Sequence, residues 1–254
     1  MSALSTTLIV GASSEIGAAT ARRAAALGQA CLLTYHRRRA EAESLASSLA
    51  AGGIPCRAIA CDLRQPNALA GVFAAADESM PPLGSVVFAA AHGGTRTSLL
   101  DLESERVEES FRVNALTAFD LLRLAIPRLA ASRQGPRGGG IVLVGSNAGI
   151  SGGRQLAAYA TSKSALHLLA QIAAKEAGPL GVRVNAVAPG AIDTLAMRKA
   201  NQFGPSDPVP KSLTDAIPLG RIGTPDEVAA AILWLLSPDA SYVSGVVLPV
   251  GGAR

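Results

Sequence analysis

The chain has 254 residues, 49% of them hydrophobic and 17% charged, and its mean hydropathy is positive. That excludes a disordered polymer and suffices for one large, well-buried core. The net charge of +4 comes from basic residues scattered among acids, with no basic run longer than Arg37-Arg38-Arg39. This points to attraction for a small anionic ligand and not to a nucleic-acid surface.

Apolar segments alternate with amphipathic ones from the start of the chain. Thr6–Val10 reads as a short strand ending at Gly11, followed by a helix from about Ile16 to Leu27. Ala30–Thr34 is a second strand, and Ala42, Leu45, Ala46 and Leu49 recur at helical spacing. Cys56–Ala60 is a third strand, Leu69–Ala76 a helix, and Ser85–Ala89 a fourth strand. Residues 103–132 read as one long helix with a bend expected near Pro127. Ile141–Val144 is the fifth strand, Ala157–Ala177 a long helix, and Val182–Val187 the sixth strand. Pro225–Leu236 forms a helix with Thr224 as N-cap and Pro in its first turn, and Val246–Val250 is the last strand.

These strands are continuously apolar rather than alternating. Such strands belong to a sheet buried on both faces, hence parallel and covered by helices. The expectation is a single α/β domain over residues 1–254, doubly wound in the Rossmann manner, with ligands beyond the carboxyl ends of its strands. Residues 190–222 are rich in Pro and polar side chains and show no long element, which predicts a lid over the substrate.

Cys31, Cys56 and Cys61 are odd in number and lack C-x-x-C spacing. They predict buried free thiols, with neither a disulfide framework nor a metal site. Cys56 and Cys61, five apart, should face opposite sides of their strand. The first residues, Met1–Ser5, carry no charged leader. Apolar runs such as Ala229–Leu236 are far short of a membrane span, so a cytoplasmic protein without membrane contact is expected.

The first strand runs into Gly11-Ala12-Ser13-Ser14-Glu15-Ile16-Gly17. Glycines at the strand exit and helix start let backbone pass close to a pyrophosphate, and the helix start supplies free N–H groups. Gly11, Ser13, Ser14, Ile16 and Gly17 are the expected contacts. An ordinary strand–helix turn has the same pattern; its place on the first strand of an α/β chain favours the phosphate. After the second strand, where a dinucleotide's ribose lies, the chain is basic: His36, Arg37 and Arg38. Arg offers forked donors to a 2′-phosphate, so NADP(H) is preferred and NAD(H) is possible. Asp62 is placed to accept from the adenine amino group, or is only a turn residue. Leu63 and Ala89 lie along the same path.

Tyr159 and Lys163 are i and i+4 on one helix face. A free phenol titrates near 10, and a neighbouring ammonium is expected to lower that value, making the pair a proton donor and acceptor near neutrality. Ser146, after the fifth strand, is placed to hydrogen-bond a carbonyl oxygen as negative charge develops on it.

With these residues the chain resembles the classical short-chain dehydrogenase/reductase family along its whole length. Ser146, Tyr159 and Lys163 match the family's catalytic residues in order and spacing. By the same resemblance Asn114 holds a water in a proton relay to the Lys. Pro189, Gly190, Ile192 and Thr194 follow the sixth-strand signature Asn185–Gly190, the last two at positions that hold the nicotinamide carboxamide. Ile217–Arg221 with Pro225–Glu227 resembles the 3-oxoacyl carrier-protein reductase and glucose dehydrogenase branch, and Tyr35–Arg38 the phosphate-binding segment of pteridine reductases. Three departures stand out. Glu15 replaces a turn glycine and should point away from the pyrophosphate. Ala89–His92 replaces Asn-Asn-Ala-Gly, and Gly251–Ala253 replaces Asp-Gly-Gly.

The resemblance implies NADPH-dependent reduction of a small-molecule carbonyl by a homotetramer packed through its two long helices. Oxidation of an alcohol or sugar, and a non-enzymatic cofactor sensor, are the competing readings. His167 and Trp234 read as core or contact residues. Asp193, Arg198, Lys199 and Lys211 read as contacts of a polar substrate or of solvent.

Overall fold

The computed structural model describes residues 4–93, 96–132 and 139–253; Met1–Ala3, part of the segment read as lacking a leader, lie outside the described residues. In chain order the elements are β1 (Thr6–Val10), α1 (Glu15–Ala26), β2 (Ala30–Tyr35), α2 (Arg39–Ala51), β3 (Cys56–Ala60), α3 (Ala68–Ser79), β4 (Leu83–Phe88), α4 (Ser104–Phe111), α5 (Thr117–Ser132), β5 (Gly140–Val144), α6 (Ala148–Ser151), α7 (Ala157–Ala177), β6 (Arg183–Pro189), α8 (Leu195–Ala200), α9 (Lys211–Thr214), α10 (Pro225–Leu236) and β7 (Val247–Val250). The seven strands form one sheet in the order β3-β2-β1-β4-β5-β6-β7, all parallel. The order reverses between β1 and β4, which opens a crevice at their carboxyl ends. This is the expected Rossmann-type α/β architecture.

Strand alternation sorts the core into two layers. Leu8, Val10, Phe88, Ile141 and Leu143 pack against α3, α5 and α7 through Phe73, Leu121, Leu129 and Leu166. Ile9, Leu33, Val87, Val142 and Val144 face α1, α2 and α10 through Ala21, Ala24, Leu45 and Ile232. Truncating a fully buried side chain such as Leu129 costs roughly 2–5 kcal/mol. The small side chains of α1 bring it close to the sheet and to α10. Thr224 caps α10 as expected, in a capping box with Glu227.

Four expectations change. The helix read over residues 103–132 is broken into α4 and α5 by a π-helical turn at Arg112–Leu116, while α5 continues through Pro127 to Ser132. The widened turn, not the proline, interrupts the ladder. Strand β6 runs two residues beyond Val187 to Pro189. Strand β4 ends at Phe88, so Ala89 is the first residue beyond it. The lid segment holds two short helices, α8 and α9. Cys31 and Cys56 are register partners on β2 and β3. Cys56 packs with the α1/α2 layer and Cys61 with the opposite one. No helix among the described residues is long and apolar enough to cross a membrane.

Candidate active site

The β1–α1 turn is built by close backbone approach. Gly11 has φ +88°, and a Cβ there would lie 2.6 Å from Ala90 N, just past β4. A Cβ on Gly17 would lie 2.5 Å from Gly11 O. Ser14 caps α1, its Oγ accepting from Gly17 N at 3.1 Å, while Thr34 Oγ1 accepts from Gly11 N at 3.0 Å. The amides of Ser13, Glu15 and Ile16 find no hydrogen-bond acceptor among the described residues. They are the orphan donors of a helix start, where the dipole favours an anion.

Gly11, Ser13, Ser14 and Thr34 line a cleft of about 370 Å³, while Ile16 and Gly17 lie outside its lining. Of the residues read from sequence, it gathers Gly11, Ser13, Ser14, His36, Arg37, Arg38, Asp62, Leu63 and Ala89. Asp62 does not present a free carboxylate: Arg64 Nη2 donates to its Oδ2 at 2.8 Å and Arg64 Nε to its Oδ1 at 2.9 Å. Hydrogen bonds from Arg64 hold its carboxyl well below the usual carboxylate range. Arg64 also reaches His36 Nε2 at 3.1 Å. Sequence reasoning passed over Arg64, although a basic residue two places after Asp62 at a strand end was the available signal. Glu15 turns away from the orphan amides, as its charge requires. Its Oε1 lies 3.6 Å from Arg38 Nη1 and accepts from Leu195 N, at the start of α8, at 3.4 Å. Free amides at a helix start beside a basic rim fit the phosphates of a dinucleotide.

At the neighbouring strand ends, Ser146 follows β5 and Tyr159 stands in the first turn of α7. The Ser146 side chain faces the Tyr159 phenol closely enough to favour its ionised form, and its Oγ accepts from Ala148 N at 3.2 Å. Lys163 is 1% exposed. Its Nζ donates to Val144 O at 2.8 Å and sits 6.0 Å from the centre of the Tyr159 ring. Burial brings the Lys163 amine down to about 7. The expected lowering of Tyr159 by Lys163 is not what this geometry gives. Burial pushes the phenol up, and the opposing effect comes from the Ser146 side chain, because Lys163 is engaged by the β5 backbone.

Asn114 is fully buried in the π-turn. Its Oδ1 accepts from His92 N at 2.7 Å, and its Nδ2 donates to His92 O at 3.0 Å and to Ser162 Oγ at 3.0 Å. The side chain thus clamps the loop after β4, where the Asn residues of the resembled signature are missing. The His92 ring lies 3.7 Å from Glu109.

Pro189, Gly190, Ile192 and Thr194 lead from β6 into the lid, outside the cleft lining. Ile192 is buried among the α10 layer and bridges Gly223; Thr194 caps α8, accepting from Met197 N at 3.2 Å. Arg198 does not await a ligand. It pairs with Asp193 (Nε to Oδ1, 2.6 Å) and donates to Gly204 O at 3.0 Å and Asp207 O at 2.8 Å, tying this segment to itself.

A family model described as enoyl-(acyl carrier protein) reductase matches residues 11–252. The chain is a short-chain dehydrogenase/reductase. It is 34% identical over 250 residues to the uncharacterized oxidoreductase YmfI of Bacillus subtilis, covering 97% of each chain. It is 32% identical to an L-rhamnose 1-dehydrogenase (NAD(P)(+)) of a Sphingomonas species, covering 97% of this chain and 94% of that one. A solved structure described as "Crystal structure of a putative betaketoacyl-ACP reductase" superposes with a TM-score of 0.83 at 30% identity, over 98% of this chain and 96% of that one. The protein is thus an oxidoreductase of a family that uses NAD(P)(H) and acts on small molecules.

Proposed function

We propose that this short-chain dehydrogenase/reductase reduces a ketone to an alcohol with NADPH, and that Tyr159 delivers the proton. The observation that carries the reading is the Ser146 side chain brought up to the Tyr159 phenol beside a buried Lys163, with a separate cleft lined by His36, Arg37 and Arg38. The orphan amides of Ser13, Glu15 and Ile16 hold the pyrophosphate, and the Arg pair holds the 2′-phosphate. Ala89, Leu63 and Asp62 border the adenosine side; Pro189, Gly190, Ile192 and Thr194 border the nicotinamide side. The nicotinamide, when bound, supplies the hydride to the carbonyl carbon. Ser146 donates a hydrogen bond to the carbonyl oxygen as it gains charge. Tyr159 gives that oxygen its proton. Lys163, close to half-protonated at neutral pH, returns a proton toward the phenol. Asn114 fixes the loop after β4 and lines the route by which Lys163 is resupplied.

Residues 190–222 close over the substrate, and the chain acts as one domain in the cytoplasm. The homotetramer reading is supported by the exposed Leu116 and Phe119 along the α5 side and the exposed Leu168 and Ile172 on α7, which leave apolar faces for another copy. Oxidation of a sugar or secondary alcohol is the second reading, favoured by the dehydrogenase relative and by the reversibility of the chemistry. Fluorescence titration with NADPH and NADH, followed by turnover on ketone and sugar panels, separates the two. Tighter binding of NADH, or turnover of sugars alone, overturns the first reading.

A further inference from the structure

The alternation of a parallel ladder leaves one donor of the active site in need of a partner. Gly145 N donates to Val187 O at 2.8 Å and Asn147 N to Pro189 O at 2.9 Å, both toward β6. Ser146 N, between them, points the other way, where β4 has already ended at Phe88. A buried amide without an acceptor costs about 1–3 kcal/mol, and the acceptor is supplied from α7: His167 Nε2, at 3.3 Å. The ring has room only because two residues lack side chains. A Cβ on Gly145 would overlap His167 Nε2 and Cδ2 outright, and one on Gly149 would lie 2.9 Å from its Cε1.

We infer that His167 is a positioning residue for Ser146, a neutral imidazole seated between Gly145 and Gly149 whose Nε2 fixes the Ser146 backbone and so the aim of its hydroxyl. The inference rests on the proposed role of Ser146 at the substrate oxygen. Accepting through Nε2 requires that the ring be uncharged, with its proton on Nδ1. Burial and the neighbouring Lys163 both hold the imidazole below its usual range, against a hydrogen bond with the Gly149 backbone that acts the other way. A core filler needs only volume, which Leu supplies. An acceptor at this depth needs a lone pair at the end of a five-atom reach from Cα, which Gln supplies and Asn, one atom shorter, does not.

The test is steady-state kinetics of His167→Leu, His167→Asn, His167→Gln and Gly145→Ala with NADPH and a ketone turned over by the wild type, with Ser146 amide exchange read by NMR in parallel. Leu and Asn should lower kcat roughly tenfold to a hundredfold, leave the KM for NADPH unchanged and speed Ser146 exchange. Gln should stay within about threefold in kcat and keep the amide protected. Gly145→Ala, which evicts the ring, should match Leu and add little when combined with it. Wild-type kcat in the Leu variant, or equal losses in Leu and Gln, overturns the inference. If the wild type turns over but Ser146→Ala is equally active, the proposed role of Ser146 fails instead. The exchange readout still decides whether His167 holds the amide.

Discussion

The two halves of the candidate site are built on opposite electrostatic terms. At the basic half His36, Arg37, Arg38, Asp62 and Arg64 are half-exposed or exposed; His36 and Arg64 pair with Asp62, and Arg38 pairs with Glu15. At the Tyr159 half Lys163 is sealed from solvent and donates to a backbone carbonyl. Charge in water is abundant but screened, so the first end suits selection of an anion. Charge out of water is scarce and strongly tuned by burial, so the second end suits a proton that must move near neutral pH. Each end therefore fails differently when altered.

The largest effect is expected from Tyr159→Phe, which removes the proton donor. Turnover should fall by about 10³-fold or more, while fluorescence titration finds NADPH binding nearly intact; near-normal activity sinks the assignment.

Lys163→Met should separate chemistry from stability. The amine prefers its proton in the unfolded chain up to 10.5, but in the folded one only to about 7. The unfolded state therefore binds the extra proton between these values, and wild-type stability rises with pH across that window. The penalty is fully present below pH 7 and relieved toward 10.5, by roughly 5 kcal/mol at most. The Met variant should lose activity and show a flatter melting temperature between pH 7 and 9.5. Parallel curves for the two proteins contradict the buried amine.

Arg37→Ala with Arg38→Ala should weaken NADPH roughly tenfold to a hundredfold and NADH by no more than about threefold. High salt should erode the difference in the wild type. Equal losses refute the 2′-phosphate site. The smallest effect is expected from Arg64→Ala. It frees Asp62 but breaks a solvent-screened contact, so the melting temperature should move by no more than about 2 °C. A larger shift means the adenosine end is structural as well as selective.

The same contrast explains what could be read from the sequence. Continuous apolar strands betray a two-faced parallel sheet, and Tyr159, Lys163, Ser146 and the glycine turn carry short-range spacings that survive without coordinates. The cleft gathers nine of the residues read as cofactor contacts. The π-turn did not show, because one extra residue per turn leaves the apolar period of residues 103–132 almost unchanged. Arg64 was hidden by the attention Asp62 draws as an acceptor. The pairing of Lys163 with Val144, and not with the phenol, depends on a backbone 19 residues away, which no local pattern encodes. His167 looked like packing because the slot that admits it is made of absences at Gly145 and Gly149.

Arg198 ties Asp193, Gly204 and Asp207 into one knot. A stretch of chain that would otherwise explore many shapes is thereby given up as a source of disorder before any ligand arrives. The cover over the substrate proposed above would then move as one piece, and admitting a substrate would not require it to fold anew.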